Sequence, residues 1–390
     1  MPQKNCGKYF AEHWGSEMMD MTALSEEIFP KESVLKIDLA AIKNNIRVLK
    51  EKTNALIIGV VKENGYGLGL QTEYEILKRN GITYFATTSA DEALALRRYG
   101  ATEPILLLAP FYEAETAEAL CAQDITQMLG HLSQLAVYKQ VKENLNIKPK
   151  VHLAIDTGMG RYGFLWNNLP KECASFAETV EITGTYSHFN NNEKMAPLQL
   201  KRFQQALEDL RKLGINPGLT HMSNSAATMT IGDGGLDAVR IGSAFLGKCA
   251  RGGQALRTAV WLEAEICQVS YYPKGATIGY MGSFKLKRDS RLGLVKVGHN
   301  DGVAIGTTDG TSKLWHGILH QVALKFLPKR YQKYAKIGTA NLPVIGRSGV
   351  SHTLLDLTDS DVQAGDTVRL NVNPLYVPIS VPKEIIKGNE

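Results

Sequence analysis

The sequence Leu56-Ile57-Ile58-Gly59-Val60-Val61-Lys62-Glu63-Asn64-Gly65-Tyr66-Gly67 joins an apolar run to a lysine and then to a glycine-containing turn. Short apolar runs that end at a turn are typical of buried strands. The pattern therefore predicts an amine at the end of a buried strand, where it can take part in Schiff-base or proton-transfer chemistry. A lysine that extends from a strand end into solvent would give the same local pattern. These residues alone leave both interpretations open.

The composition narrows the class of protein. A length of 390 residues favours two domains, and 44% hydrophobic with 21% charged residues is typical of an ordinary globular protein. The net charge of +5 is modest and no basic stripe is interleaved with aromatics, which argues against nucleic-acid binding. The five scattered cysteines favour a reducing compartment over a disulfide framework or a zinc site. No apolar stretch has the length of a membrane span, so we expect a cytoplasmic protein without a membrane partner.

Strand and helix patterns alternate over more than half of the chain. After Asp38, a plausible N-cap, the residues Ile42, Ile46 and Leu49 share one helical face. Eight strands with helices between them favour a (β/α)₈ TIM-type barrel, in which chemistry takes place at the C-terminal ends of the strands. The strand candidates are residues 56–62, 84–88, 104–109, 125–129, 150–156, 182–188, 219–223 and 238–242.

The pattern changes beyond about residue 255. Apolar β-rich runs, including Val260–Ser270 and Thr367–Val372, are separated there by clusters of Gly, Pro and Asp, which predicts a mainly-β C-terminal domain. We therefore divide the chain into an N-terminal extension without an assigned role, an α/β barrel and a β domain. Their predicted ranges are residues 1–33, 34–255 and 256–390.

Polar motifs follow several of the predicted barrel strands, whose C-terminal ends should form one rim. Backbone amides in glycine-containing turns and serine hydroxyls bind phosphate oxygens, and a lysine amine binds an aldehyde. The rim therefore suits a phosphorylated aldehyde cofactor. The motifs are Lys62 with Tyr66, Asp156-Thr157-Gly158-Met159-Gly160-Arg161, Ser187-His188, His221 with Ser223-Asn224-Ser225, and Arg240-Ile241-Gly242-Ser243.

Each motif also has a simpler interpretation. Residues 156–158 are compatible with an ordinary turn after a strand, His188 with a core imidazole, and Arg240 with a structural ion pair. Their common position on one predicted rim favours the cofactor site.

Together these motifs make the chain resemble the alanine racemase family of fold-type III pyridoxal-phosphate enzymes. The resemblance extends from about Leu35 to the C-terminus and implies a (β/α)₈ barrel followed by a β domain, as the apolar pattern also predicts. The matching motifs are Val60-Val61-Lys62 with Tyr66-Gly67, residues 156–163, Ser187-His188-Phe189, Asn224-Ser225-Ala226-Ala227, Val239-Arg240-Ile241-Gly242, Gly279-Tyr280, and Gly346-Arg347 leading to Asp356-Leu357-Thr358.

The resemblance implies two acid/base residues. Lys62 would bind pyridoxal 5'-phosphate covalently and act as one base, and Tyr280 would act as the other in the partner subunit's site. Removal of the α-proton from one face and its return to the other is what stereoinversion requires. The resemblance thus implies a homodimer with shared active sites and an amino acid as the small-molecule substrate.

It also implies the contacts with the cofactor and the substrate. Arg240 would donate to the pyridine nitrogen, and a guanidinium keeps its proton, so the cofactor would be a weaker electron sink and would favour racemisation over transamination. Arg161 would lie beside the cofactor's phenolic oxygen and the substrate carboxylate. The implied cofactor-binding residues are Lys62, Tyr66, His188, Asn224, Ser225, Arg240, Gly242, Ser243 and, in the C-terminal segment, Tyr376.

The sequence departs from the family pattern on the substrate side. Ala154 stands where many members have a carbamylated lysine that supports the arginine, so we expect an anion such as chloride or a neighbouring polar group to support Arg161. His299 replaces a usual tyrosine, and Val350-Ser351 replace a usual Met-Asp pair. We expect these substrate-binding positions to change charge and room near the substrate side chain. Serine, or another polar or larger amino acid, is then a candidate substrate beside alanine, while neutral drift around an alanine site is the alternative.

Two other classes of protein would also bind pyridoxal phosphate with this fold. A decarboxylase or an aldolase of the same fold would not require Tyr280 as a second base. A non-catalytic pyridoxal-phosphate carrier that resembles the barrel alone would not have the predicted β domain. Both features favour the racemase.

Overall fold

The computed structural model describes residues 33–279, 282, 284–303 and 333–388. Tyr280 and residues 1–32 of the predicted extension lie outside the described residues. No helix among the described residues is both long enough and apolar enough to cross a membrane. The right-handed α-helices of this part are α1 (Leu39–Lys50), α2 (Leu70–Arg79), α3 (Ala90–Arg98), α4 (Ala114–Ala122), α5 (Ser133–Leu145), α6 (Phe176–Thr179), α7 (Ala196–Lys212) and α8 (Ser225–Ile231).

Strand β1 (Ser33–Asp38) precedes a closed barrel of eight parallel strands. The barrel closes because its last strand pairs with its first, with Ala238 opposite Leu56. Each strand overlaps one of the eight predicted runs, so the TIM-type prediction is confirmed. The barrel strands are β2 (Leu56–Val60), β3 (Tyr84–Thr87), β4 (Ile105–Leu107), β5 (Ile125–Leu129), β6 (Lys150–Asp156), β8 (Glu181–Tyr186), β9 (Leu219–His221) and β10 (Ala238–Ile241), while the two-residue β7 (Phe164–Leu165) pairs with β6.

The first helix forms as its sequence predicts. The Asp38 carboxylate accepts a hydrogen bond of 3.0 Å from the amide of Ala41, which caps the N-terminus of α1. The predicted apolar face of α1 is buried. On the same helix, the buried Asn45 side chain donates to the carbonyls of Phe245 and Arg257 at 2.9 and 2.8 Å. It therefore fixes α1 to the segment that follows the last barrel strand.

The second domain consists mainly of an eight-stranded β-sheet, so the predicted mainly-β C-terminal domain is also confirmed. Strand β1 lies in this sheet, antiparallel to the long strand β11 and parallel to the last strand β19. The chain therefore passes through the second sheet before it enters the barrel. The remaining strands are β11 (Val260–Tyr272), β12 (Thr277–Ile278), β13 (Phe284–Lys285), β14 (Ser290–Val295), β15 (Tyr334–Ile337), β16 (Ala340–Ile345), β17 (Thr353–Asp356), β18 (Thr367–Leu370) and β19 (Lys383–Ile386), of which β12 and β13 pair separately.

The barrel interior combines two kinds of side chain. Apolar residues fill most of it, as is usual for this fold; they include Ile58, Val60, Ala86, Leu106, Met128, Ala154 and Ala238. The polar residues His152, His221 and Arg240 are buried among them. Buried polar side chains in an apolar barrel need internal hydrogen bonds. Here these polar side chains lie close to Arg240, near one end of the barrel.

Candidate active site

A cavity of about 520 Å³ opens at the C-terminal ends of the barrel strands. Its size and position are typical of ligand sites in this fold. Nine of the predicted cofactor-binding, substrate-binding and catalytic residues line it. These are Lys62, Tyr66, Arg161, His188, Asn224, Ser225, Arg240, Gly242 and Ser243.

Lys62 and Tyr66 reach the cavity from one unusual turn. Glu63, Asn64 and Tyr66 have φ angles of 55°, 53° and 48°, and Gly65 between them has φ of 63°. Left-handed backbone of this kind costs roughly 1–2 kcal/mol per non-glycine residue. The surrounding structure offsets this cost in part, because the Asn64 amide donates to Glu92 Oε1 at 2.7 Å. The turn thus presents the amine and the phenol to the same cavity.

Hydrogen-bond donors and hydroxyls converge beside this turn. A Cβ atom on Gly242 would lie 2.2 Å from the hydroxyl of Tyr66, so only glycine allows the phenol to approach this closely. The Gly242 amide lies 3.3 Å from the Ser225 hydroxyl, to which it donates. Burial, followed by the nearby Glu73, raises the pKa of Tyr66, so the phenol stays protonated and can donate. This group has the chemistry of a phosphate site.

Arg240, two residues before Gly242, also lines the cavity and is 4% exposed. One terminal nitrogen lies 2.5 Å from Nδ1 of His221, and the other lies 3.0 Å from Nδ1 of His188 and 2.6 Å from the carbonyl of Ser187. Burial lowers the pKa of Arg240 to about 10, so the guanidinium stays charged at neutral pH.

The two histidines beside Arg240 are neutral acceptors. Burial and then the positive charge of Arg240 lower the pKa of His188 to about 3, and they lower the pKa of His221 well below its ordinary value. Because a guanidinium only donates, Nδ1 of each neutral ring accepts from it. Arg240 is therefore held by acceptors that carry no charge.

The turn that precedes Arg161 is shaped by a carboxylate. Oδ1 of Asp156 accepts from the amides of Gly158 and Met159 at 2.8 and 2.9 Å. The guanidinium of Arg161 then lies 5.4 Å from the ring centroid of Tyr162, a cation–π contact. Asp156 is thus engaged with backbone amides, and Arg161 contacts an aromatic neighbour.

The surroundings of Ala154 are apolar. Ala154 packs with Met128 and Tyr186, and Leu108 lies against the same cluster. The position where a charged support for Arg161 would stand is therefore part of the barrel core.

Four predicted site residues do not line the cavity. Tyr376 is 54% exposed; its 3₁₀ turn, Pro374–Tyr376, approaches the lysine-bearing turn so closely that a Cβ on Gly67 would lie 2.0 Å from the Pro374 carbonyl. The other three, His299, Val350 and Ser351, share one surface of the β domain. The His299 amide donates to Gly349 O at 2.9 Å and the next amide donates to Val350 O at 3.0 Å.

Sequence reasoning missed two buried residues beside the site, His152 and Tyr186. The rings of Tyr186 and His221 are stacked, with centroids 5.3 Å apart and planes 3° apart. His152 is hydrogen-bonded to His221. The alternation of β6 could have revealed His152, because Val151 and Leu153 point away from the barrel axis while His152 and Ala154 point towards it.

The fold and the cavity define a class of protein: a TIM-type barrel with a lysine at the end of its first barrel strand and a cluster of hydrogen-bond donors nearby, followed by a β domain. Family models for the N-terminal and the C-terminal domain of alanine racemase match residues 37–249 and 259–375. The chain belongs to the alanine racemase family, a family of isomerases whose cofactor is pyridoxal phosphate.

Similar proteins support this assignment. The chain is 29% identical over 348 residues to alanine racemase 2 of Caldanaerobacter subterraneus subsp. tengcongensis, covering 86% of this chain and 84% of the relative. It is 30% identical to the alanine racemase of Methanococcus maripaludis, with 85% and 87% covered.

Solved structures share the fold. The alanine racemase of Streptomyces lavendulae superimposes with a TM-score of 0.76 at 22% identity, over 93% of this chain and 99% of that chain. The alanine racemase of Bartonella henselae, solved with covalently bound pyridoxal phosphate, superimposes with a TM-score of 0.74 at 24% identity, over 92% and 100%.

Proposed function

We propose that this protein is a pyridoxal-phosphate-dependent racemase that inverts Cα of alanine or a small relative such as serine, with Lys62 as one of two bases. The observation that carries the proposal is the common cavity of Lys62, the phosphate-site group of Tyr66, Ser225 and Gly242, and Arg240.

The residues present fit the cofactor. Tyr66, Ser225 and the amides near Gly242 supply donors for a phosphate dianion, and the close approach of Tyr66 to Gly242 depends on a glycine there. Arg240 supplies only donors for a pyridine nitrogen, so that nitrogen would stay unprotonated. His188 would pack beside the ring, and Asn224 and Ser243 complete the lining.

Pyridoxal phosphate, when bound, would supply electron withdrawal from Cα of the amino acid, so that the α-proton becomes acidic. The chain's own residues then move and direct that proton. The Lys62 amine removes it from one face and, in the reverse direction, returns it. Arg161 orients the substrate by binding its carboxylate. Because Arg240 would leave the ring nitrogen unprotonated, electron withdrawal by the ring would stay moderate, which would favour return of the proton to Cα.

The second base is proposed to be Tyr280 of the partner subunit, in a cytoplasmic homodimer with shared active sites. Tyr280 follows the short strand β12 in the β domain, and His299, Val350 and Ser351 lie in that domain too. A surface of the β domain that covers the neighbour's barrel would bring both bases to one substrate. The same surface would then determine the space available to the substrate side chain. His299 and Ser351 favour a small polar amino acid as a substrate in addition to alanine.

Racemisation in deuterium oxide tests the proposal. L- and D-alanine and L- and D-serine are incubated with the holoenzyme, and inversion and α-deuterium incorporation are measured together. We expect both with at least one pair, and neither with the Lys62→Ala variant. Carbon dioxide release without inversion would identify a decarboxylase, aldehyde release an aldolase, and an inert yellow protein a carrier; each would overturn the proposal.

A further inference from the structure

A series of hydrogen bonds continues from Arg240 across the barrel interior, beyond the residues that line the cavity. Nδ1 of His221 lies 2.5 Å from Arg240, Nε2 of His221 lies 2.9 Å from Nδ1 of His152, and Nε2 of His152 lies 3.4 Å from the hydroxyl of Tyr84. His221 and His152 are 0% and 1% exposed. We call these four residues the interior series. Apolar side chains usually fill these positions in a barrel.

The direction of every hydrogen bond in the interior series follows from Arg240. A guanidinium donates and never accepts, so Nδ1 of His221 carries no proton. The proton of the neutral His221 ring is then on Nε2, and it is donated to Nδ1 of His152. By the same argument His152 carries its proton on Nε2, directed towards Tyr84. For each histidine, only one neutral tautomer therefore satisfies the neighbours on both sides of the ring.

The barrel wall leaves room for His152. Gly184 lies opposite His152 in the register of β6 and β8. A Cβ atom at Gly184 would lie 2.5 Å from the imidazole of His152, too close for any real contact. The next residue, Thr185, has its hydroxyl bonded to Pro217 O at 2.8 Å, on the outer face of the same strand. The absence of a side chain at Gly184 thus accommodates this ring.

We propose that His152 is a positioning residue of the active site. It accepts the Nε2 proton of His221 and so holds His221 in the tautomer whose Nδ1 accepts from Arg240. The alternative tautomer of His221 would direct an N–H group at the guanidinium and displace Arg240 from the cavity. The proposal rests on the proposed function, in which Arg240 contacts the cofactor.

Two replacements at His152 separate positioning from packing. In His152→Asn, the amide oxygen can occupy the place of Nδ1 and accept from His221. In His152→Leu, the volume is filled but the acceptor is lost. Gly184→Ala displaces the ring without removing it, and Thr185→Val is a matched control because it removes a buried hydrogen bond from the same strand on the other face.

The tautomers are measured directly by nitrogen NMR of holoenzyme labelled with ¹⁵N-histidine, with signals assigned by single replacements among the nine histidines. We expect His221 to be neutral and protonated on Nε2 in the wild type, in His152→Asn and in Thr185→Val. We expect its signals to move towards the other tautomer in His152→Leu and Gly184→Ala. Unchanged His221 signals in both of these variants would overturn the proposal.

Turnover and the cofactor's absorbance provide the second measurement. We expect kcat to fall about 10-fold or more in His152→Leu and Gly184→Ala, because residues that orient a ligand-binding side chain contribute about this much in metal sites. The visible absorbance of the bound cofactor should shift in the same two variants. His152→Asn should recover most of kcat. Equal losses in His152→Leu and Thr185→Val would identify a merely structural effect and overturn the proposal.

The tautomer measurement also separates this inference from the proposed function. It is made on the resting protein and needs no turnover. Wild-type His221 protonated on Nδ1 would overturn the interior series even in an active racemase. The predicted tautomers in a protein that racemises no amino acid would support the interior series and contradict the proposed function alone.

Discussion

Arg240 and His221 share a hydrogen bond of 2.5 Å at the centre of the barrel, between a guanidinium that stays charged and an imidazole that stays neutral. No ion pair with a carboxylate involves Arg240 in the part of the chain that the structure describes. Its charge is therefore directed at the cavity, where the cofactor's ring nitrogen is expected.

The buried neutral histidines predict a loss of stability in mild acid. The pKa values of His152 and His188 are about 3 in the folded protein, below the ordinary 6.5, so the unfolded chain binds more protons between these values. The free energy of unfolding should then fall as pH decreases below 6.5, by about 1.4 kcal/mol per pH unit for each such histidine.

Urea unfolding at pH 7.5, 6, 5 and 4 checks this prediction. His152→Asn should reduce the slope of the free energy of unfolding against pH by the contribution of about one proton. The control Thr185→Val, which removes no titratable group, should leave this slope unchanged. A slope for His152→Asn equal to that of the wild type would count against a neutral His152.

Glu73 predicts a stabilising substitution. It is 2% exposed, and neither carboxylate oxygen has a hydrogen-bond partner among the described residues. Burial, and then the charge of Glu92, raise its pKa well above 4.5. The folded state therefore binds a proton that the unfolded state has lost, and stability decreases as pH rises above 4.5.

We expect Glu73→Leu to raise the free energy of unfolding at pH 8 by roughly 2 kcal/mol or more, and by less at pH 5. Glu75, on the same helix, pairs with Arg79 near the surface and its side chain is 40% exposed. The control Glu75→Leu should therefore change stability by less than about 0.5 kcal/mol. The idea fails if Glu73→Leu lowers stability equally at both pH values.

Tyr66 is expected to contribute to cofactor affinity. Tyr66→Phe removes one donor to the phosphate, and hydrogen bonds to charged groups contribute about 1.5–3 kcal/mol. The dissociation constant for pyridoxal phosphate, measured by titration of the apoprotein, should rise roughly 10- to 100-fold. The exposed Tyr99 provides the control Tyr99→Phe. An unchanged constant in Tyr66→Phe would place the phosphate elsewhere.

Shared active sites predict complementation between inactive variants. Lys62→Ala and Tyr280→Phe each lack one base, but a mixed dimer would contain one site with both. After subunit exchange at equal amounts, half of the dimers are mixed, so about one quarter of wild-type activity should return. Activity that does not increase on mixing would show that each chain uses its own tyrosine.

The sequence predicts the barrel well because its physical causes are local. Each barrel strand is a short apolar run between turns, and the face of α1 that contains Ile42 and Ile46 has helical spacing. The position of β1 in the second sheet depends instead on pairing with β19, with Leu35 opposite Lys383. No local pattern contains that information.

The sequence suggests candidate site residues mainly near strand ends, where polar side chains follow apolar runs. The left-handed turn from Glu63 to Tyr66 includes non-glycine residues that ordinarily disfavour it, and distant contacts such as that of Asn64 with Glu92 stabilise it. His152 lies between the apolar residues Val151 and Leu153 of β6. Its proposed role depends on the face of the strand that it occupies and on the space left by Gly184.

The central claim is that Lys62 is the amine that binds pyridoxal phosphate. Reduction of the holoenzyme with borohydride, followed by peptide mass spectrometry, identifies the lysine that holds the cofactor. Lys248 is the strongest rival, because burial lowers its pKa to about 8. We predict the pyridoxyl group on Lys62 alone, and a pyridoxyl group on Lys248 or on no lysine would contradict the account.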